Sequence, residues 1–306
     1  MKTLIFGKDG QLGRAFQELL SDRGNEFIFA GKQDCDLSNS KSIQDFLNQI
    51  KPDRIINTAA YTAVDKAEQE KELAFAVNAH ALKSIAEYCA AHQKVLLHFS
   101  TDYVFDGNKT TPYIESDICN PLSTYGKSKY AGELAILEAF SNQSNQEQGI
   151  FYILRTSWVY GEGNNFIRTI LRLANERSEL KVVADQNGVP TNTKWLAELS
   201  LKLLEQGDVL SGIYHAVPSG QTSWFELASF SIECARNLGV EFKLDLNRLY
   251  PIPASDYPLL AKRPMNSCLS ISKLISAMPS CKSMLTEDWK IQVKSYIQDL
   301  HQKRLI

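Results

Sequence analysis

The chain has 306 residues, 44% of them hydrophobic and 22% charged, and its 33 basic and 35 acidic side chains leave a formal net charge of -2. That length holds one large domain or two modest ones, each with its own core, and the composition is that of a folded globular protein. With no cationic excess to gather phosphate backbone or anionic lipid, neither a nucleic acid nor a membrane surface is expected as partner. In chain order, short apolar runs at 3–6, 26–30, 54–58, 94–100 and 149–154 alternate with segments at 12–20, 40–50, 70–92 and 125–140 whose apolar residues recur at helical intervals. Mostly apolar strands between helices are buried on both faces, which predicts an α/β fold of Rossmann type, a doubly wound parallel sheet. Lys8 and Asp9 interrupt the first run before a secretory core can form, so a cytoplasmic protein is expected. The polar stretch 141–148 (SNQSNQEQ) reads as a solvated loop.

Beyond residue 160 the pattern loosens into helices at 165–177 and 193–206, strands at 180–183 and 213–217, and a Pro-rich segment at 250–264. The expected division is 1–160 and a smaller, interleaved α/β region 161–306, with segments near 190–217 returning to the main sheet. Within it, 209–225 is the longest stretch free of acidic and basic residues, but Pro218 and two glycines rule it out as a transmembrane helix. The six cysteines (Cys35, Cys89, Cys119, Cys234, Cys268 and Cys281) lie 13 or more residues apart without a C-x-x-C pair and read as reduced thiols.

Directly after the first strand comes Gly7-Lys8-Asp9-Gly10-Gln11-Leu12-Gly13, three glycines at the spacing G-x-x-G-x-x-G before a helix. Such glycines let the chain reverse, bring backbone N–H groups to a pyrophosphate and allow the helix to pack on the strand. This predicts a dinucleotide cofactor. An acid that binds an adenosine ribose would stand at the end of the second strand, where the sequence reads Ala30-Gly31-Lys32. Lys32 and the missing acid favour NADPH, with NADH still open and Lys32 alternatively a solvated lysine. Asp36 follows at a position suited to the adenine amino group.

The second motif is Tyr125-Gly126-Lys127-Ser128-Lys129. Four residues apart on a helix, Tyr125 and Lys129 share a face. An ammonium beside a tyrosine favours the phenolate and brings it toward proton exchange near neutrality. Ser100 and Thr101 close the fourth strand nearby.

These residues resemble the extended, nucleotide-sugar branch of the short-chain dehydrogenase/reductase superfamily, and within it the dTDP-4-dehydrorhamnose reductase family. The resemblance runs through GKDGQLG at 7–13, NTAAYTAVDKAE at 57–68, STDYVFDG at 100–107, YGKSKYAGE at 125–133, RTSWVYGEGNNF at 155–166 and KRPMNS at 262–267. It implies that residues 1–160 bind NADP and that 161–306 bind most of a dTDP-sugar substrate. The reaction implied is reduction of the C4 ketone of dTDP-4-dehydro-6-deoxy-L-mannose to dTDP-L-rhamnose. By the same resemblance, Gly7, Gly10, Gln11, Leu12 and Gly13 line the pyrophosphate and Asp36 and Leu37 flank the adenine. Ala59, Ala60, Tyr61, Thr62 and Phe99 run beside the cofactor. Tyr125 donates the proton, Lys129 binds the nicotinamide ribose and lowers the tyrosine's pKa, and Thr101 bonds the substrate carbonyl. Asp102, Tyr103 and Trp158 meet the sugar, Trp158 being alternatively a core aromatic, while Asn165 and Arg263 are weaker candidates for substrate or diphosphate contacts.

Some members of that family carry a glutamate two residues past the third glycine and use it in a magnesium-linked dimer contact. This chain has Ala15 there, so no metal ligand is assigned, the magnesium question stays open, and a monomer and a homodimer are both expected forms. Two rival readings remain: a related nucleotide-sugar ketoreductase or epimerase, and a non-catalytic NADP-binding regulatory subunit of the methionine adenosyltransferase type.

Overall fold

Residues 1–141 and 149–306 are described by the computed structural model of the chain. Alternation along the first strand, β1 (Thr3–Phe6), sets the layers. Leu4 and Phe6 enter one core with Ile43, Leu47, Leu82 and Ile136, whereas Ile5 enters the opposite core with Phe16, Ile56 and Leu196. A strand coated on both faces belongs in the middle of a sandwich of helices, each large aliphatic residue contributing about 2 kcal/mol by burial.

Five further strands complete that sheet: β2 (Phe27–Ala30), β3 (Arg54–Asn57), β4 (Val95–Thr101), β5 (Ile150–Thr156) and β6 (Gly212–His215). All pairings are parallel, in the order β6-β5-β4-β3-β1-β2. The chain runs outward from β1 to β2 and then back to β3 on the other side, so the carboxyl ends of β1 and β3 flank a crevice of the kind that binds ligands in open α/β sheets. The helix α1 (Gln11–Leu20) buries Leu12, Phe16 and Leu20 at intervals of one turn. On the other face lie α2 (Ser40–Ile50), α3 (Ala81–Ala91) and α4 (Thr124–Ser141).

Helices α5 (Phe166–Glu176) and α6 (Thr193–Gln206) fall where the periodicity predicts them. Two more, α7 (Trp224–Arg236) and α8 (Trp289–Gln302), are absent from the sequence reading. With α5 they enclose a third core around Ile167, Leu171, Leu227, Ile232, Val293 and Ile297. β6 comes from the second half of the chain but pairs with β5 of the first half.

The segment read as one helix over 70–92 is interrupted by a π-helical turn, Ala76–His80. Residues 142–148, nearly all of the stretch expected to be a loop, lie outside the described residues, and Ser141 ends α4. Among the described residues, no helix is long and apolar enough to cross a membrane.

Candidate active site

The chain leaves β1 through Gly7, whose φ of +87° belongs to the left-handed region, and a Cβ there would sit 2.6 Å from Thr58 Oγ1 and 2.7 Å from the Ala59 nitrogen. Gly10 starts α1 without a side-chain cap, so the first N–H groups of the helix stay free to meet an anion. Gly13 lies behind the turn, its missing side chain letting the helix press on the Gly7 carbonyl. The turn opens on a cavity of about 720 Å³ at the β1/β3 crevice.

The remaining sequence-predicted cofactor residues all border this cavity: Gly7, Gly10, Gln11 and Leu12 at the turn, Lys32, Asp36 and Leu37 beyond β2, Ala59 to Thr62 beyond β3, and Phe99 on β4. Asp36 accepts bonds from the Ser38 hydroxyl and N–H at 2.7 and 2.9 Å, which hold its carboxyl below the ordinary value. A carboxylate absent from the sequence argument also stands near the β2 end. Asp34 accepts from the Gly31 N–H at 2.8 Å and pairs with Lys8 at 2.6 Å, which neutralises it locally.

Thr101, Tyr125 and Lys129 line the same cavity, with Asp102 and Trp158. Thr101 Oγ1 donates to Asp102 Oδ1 at 2.9 Å, and Ser157 Oγ donates to Asp102 Oδ2 at 3.1 Å. Burial pushes the Asp102 carboxyl up to about 6 despite these bonds. Burial likewise raises Tyr125 to about 12; a hydrogen bond with Thr101 opposes the rise and the Asp102 charge adds to it. The expected depression of Tyr125 by Lys129 is therefore not present in this geometry. The Lys129 side-chain nitrogen is turned to the Phe99 carbonyl at 2.6 Å and to His98 Nε2 at 3.1 Å, and burial lowers its pKa to about 7.

Trp158 has the left-handed φ of +44° and stacks on Trp224, ring centroids 3.5 Å apart and planes within 9°. Neither Tyr103 nor Arg263 is among the residues that line the cavity; Tyr103 is edge-on to Tyr125 at 5.9 Å and bonded to Arg263. Arg263 itself pairs with Asp65 at 2.8 Å. Asn165 is not brought to the cavity: its oxygen caps α5 through the Arg168 N–H, and its amide nitrogen donates to the Gly161 carbonyl and the Tyr296 hydroxyl. Both amide hydrogens are thereby engaged, and a helix cap takes the place of the substrate contact expected there.

Three residues that sequence reasoning did not single out shape the site. Asn78, on the π turn, accepts from the Tyr61 N–H at 2.8 Å and donates to the Tyr61 carbonyl and the Ser128 hydroxyl, both at 3.0 Å, fixing the loop after β3 to α4. Glu68 caps α4 through the Thr124 N–H at 2.7 Å and its hydroxyl at 2.8 Å. His98 backs Lys129. A π turn at a functional site is a recurrent device, but nothing in a helical pattern marks one.

A parallel sheet with a glycine turn at its switch point, and a Thr–Tyr–Lys set lining the same cavity, define an extended short-chain dehydrogenase/reductase. The comparisons narrow this. The family described as "RmlD substrate binding domain" matches residues 1–302. The dTDP-4-dehydrorhamnose reductase of Escherichia coli (strain K12) is 40% identical, with 98% of each chain covered. A spore coat polysaccharide biosynthesis protein of Bacillus subtilis (strain 168) is 34% identical over 97% of each chain. Among solved structures, the dTDP-4-dehydrorhamnose reductase of Bacillus anthracis in complex with NADP superposes with a TM-score of 0.84 at 33% identity, covering 98% of this chain and all of that one. A Thermus thermophilus UDP-glucose 4-epimerase shares the fold, with a TM-score of 0.77 at 18% identity, covering 97% of this chain and 98% of that one. The chain belongs to the RmlD substrate binding domain family.

Proposed function

We propose that this protein reduces the C4 ketone of dTDP-4-dehydro-6-deoxy-L-mannose with NADPH to give dTDP-L-rhamnose, the last step of dTDP-rhamnose biosynthesis. The observation that carries the proposal is the arrangement of one cavity, lined both by an uncapped helix start and glycine turn and by Thr101, Tyr125 and Lys129. The names of the relatives, identical at 37–40% over nearly their whole length, favour this substrate over other ketosugars.

The residues present fit the cofactor. The α1 N–H groups would face its pyrophosphate, Lys32 its 2'-phosphate, Asp36 and Leu37 its adenine, and Lys129 its nicotinamide ribose. When bound, NADPH supplies the hydride for the ketone carbon. Tyr125 then delivers its hydroxyl proton to the developing alkoxide, which lets a strongly raised tyrosine act as an acid. Thr101, whose hydroxyl donates to Asp102 before substrate arrives, would turn that proton to the same oxygen, so charge is met by a second donor where it grows. Trp158 forms a wall for the sugar, and Tyr103 with Arg263 supports Tyr125. In this reading residues 1–160 hold the cofactor and 161–306 supply most of the sugar site, in a monomer or homodimer of the cytoplasm.

The test is NADPH consumption by the purified protein with enzymatically generated ketosugar, with NADH in parallel. Rapid oxidation with a preference for NADPH supports both the reaction and the role of Lys32. Tight NADPH binding without ketosugar turnover favours a regulatory subunit instead.

A further inference from the structure

Three buried side chains form a line from β3 through β4 to the catalytic helix: Asn57, His98 and Lys129, each no more than 2% exposed. Its direction is fixed at one end. The Ala59 N–H can only donate, and it meets Asn57 Oδ1 at 3.2 Å, so the amide nitrogen is the atom 3.2 Å from His98 Nδ1. An amide nitrogen only donates, so Nδ1 accepts and carries no proton. The Asn57 backbone carbonyl lies near enough to the ring to pull the other way, but the side-chain amide, locked by Ala59, decides for acceptance. A neutral imidazole then holds its proton on Nε2, 3.1 Å from Lys129 Nζ. An ammonium has donors alone and would meet that N–H head-on, whereas a neutral amine has a lone pair to accept it.

We propose that His98 is a positioning residue that, held in its Nε2–H tautomer by Asn57, keeps Lys129 a neutral amine in this arrangement. Lys129 still donates to the Phe99 carbonyl at 2.6 Å. The charge that acts on it is Glu133 on its own helix, and its contacts are His98 and the Phe99 carbonyl on β4. Glu133 favours the ammonium, but its carboxylate is taken up by Arg155 at 2.7 Å. Burial lowers Lys129 to about 7 against the pull of Glu133, and burial likewise holds His98 well below its ordinary value. A neutral Lys129 adds no positive charge beside Tyr125. Protonating it supplies the charge that favours a phenolate, so the Asn57–His98 pair sets the pH at which Tyr125 becomes a better acid. This last consequence rests on the reductase reading; the tautomer does not.

The experiment is 15N NMR of the full-length labelled protein, using two-bond imidazole correlations. His98 should be protonated at Nε2 and bare at Nδ1 above about pH 7, where Lys129 is the neutral amine. A proton on Nδ1, or an imidazolium, overturns the proposal. The variant Asn57→Asp replaces the donor by an acceptor of the same shape and should reverse the tautomer. The Lys129 midpoint, read from lysine 15N signals, should then rise by about one pH unit or more. The near-neutral limb of the kcat/KM profile should move with it. An unchanged midpoint also overturns the proposal. If the variant does not fold, the tautomer of the unaltered protein still decides. Failure of ketosugar turnover would count against the reductase reading and leave the NMR result standing.

Discussion

Arg155 and Glu133 form a buried, two-pronged ion pair, Nε to Oε1 at 2.9 Å and Nη2 to Oε2 at 2.7 Å, with exposures of 2% and 0%. It ties β5 to the helix that carries Tyr125 and Lys129. Removing one partner strands a charge in a dry interior, so Arg155→Met should cost about 3–5 kcal/mol in chemical denaturation. The double variant Arg155→Met with Glu133→Leu should recover most of that loss. A single variant that unfolds at the denaturant concentration of the parent would show that the pair is not a structural tie.

Asp102 makes stability fall as pH rises. Its carboxyl ionises at about 6 in the fold against an ordinary 3.8, so the folded state binds its proton more tightly than the unfolded chain does. The penalty is absent below the ordinary value, grows as pH climbs to about 6 and is complete above it. Asp102→Asn keeps the shape and removes the charge, its oxygen accepting from one of the hydroxyls of Ser267, Thr101 and Ser157 and its nitrogen donating to another. It should stabilise the protein by about 3 kcal/mol at pH 8, two units at 1.36 kcal/mol each, and by far less at pH 4. Equal effects at both pH values in urea unfolding would contradict the assignment.

Trp158 is held in place from two sides. Trp224 stacks on one face, and the absent side chain of Gly188 leaves room for the indole. In Gly188→Ala the new methyl would drive into that ring. Displacement of a sugar wall by a fraction of an ångström should raise the ketosugar KM on the order of 10- to 100-fold. The NADPH Kd should not change. An equal weakening of both would place Trp158 in the general packing of the cavity.

Tyr125→Phe removes the proton donor and little else, because the ring remains edge-on to Tyr103. Turnover should fall by about 10²- to 10⁴-fold with NADPH binding intact, as measured by single-turnover kinetics and fluorescence titration. Near-normal turnover would assign the proton to another group.

Much of this was legible in the sequence because its signals are local. Apolar runs locate β1 to β4 within a residue or two, and the glycine turn needs only seven consecutive residues. Long-range pairing was not legible. The fifth run reads as ending at Leu154, yet the strand continues through Arg155 to Thr156, the arginine being paired with Glu133, 22 residues away. Asn165 read as a ligand contact and is a helix cap, since its acceptor use depends on where α5 begins. The start of α7 does carry a local signal. Ser223 and Glu226 form a capping box, visible as S-x-x-E. The Asn57–His98–Lys129 line joins three elements and has no sequence signature at all.

The central claim is net hydride transfer to C4 of the sugar. The most direct measurement uses NADPH dideuterated at the nicotinamide C4, with the ketosugar and the purified protein, and NMR of the nucleotide sugar formed. The account predicts dTDP-L-rhamnose with one deuterium at C4 for each cofactor oxidised. An unlabelled or merely epimerised sugar, with the cofactor still reduced, would contradict it.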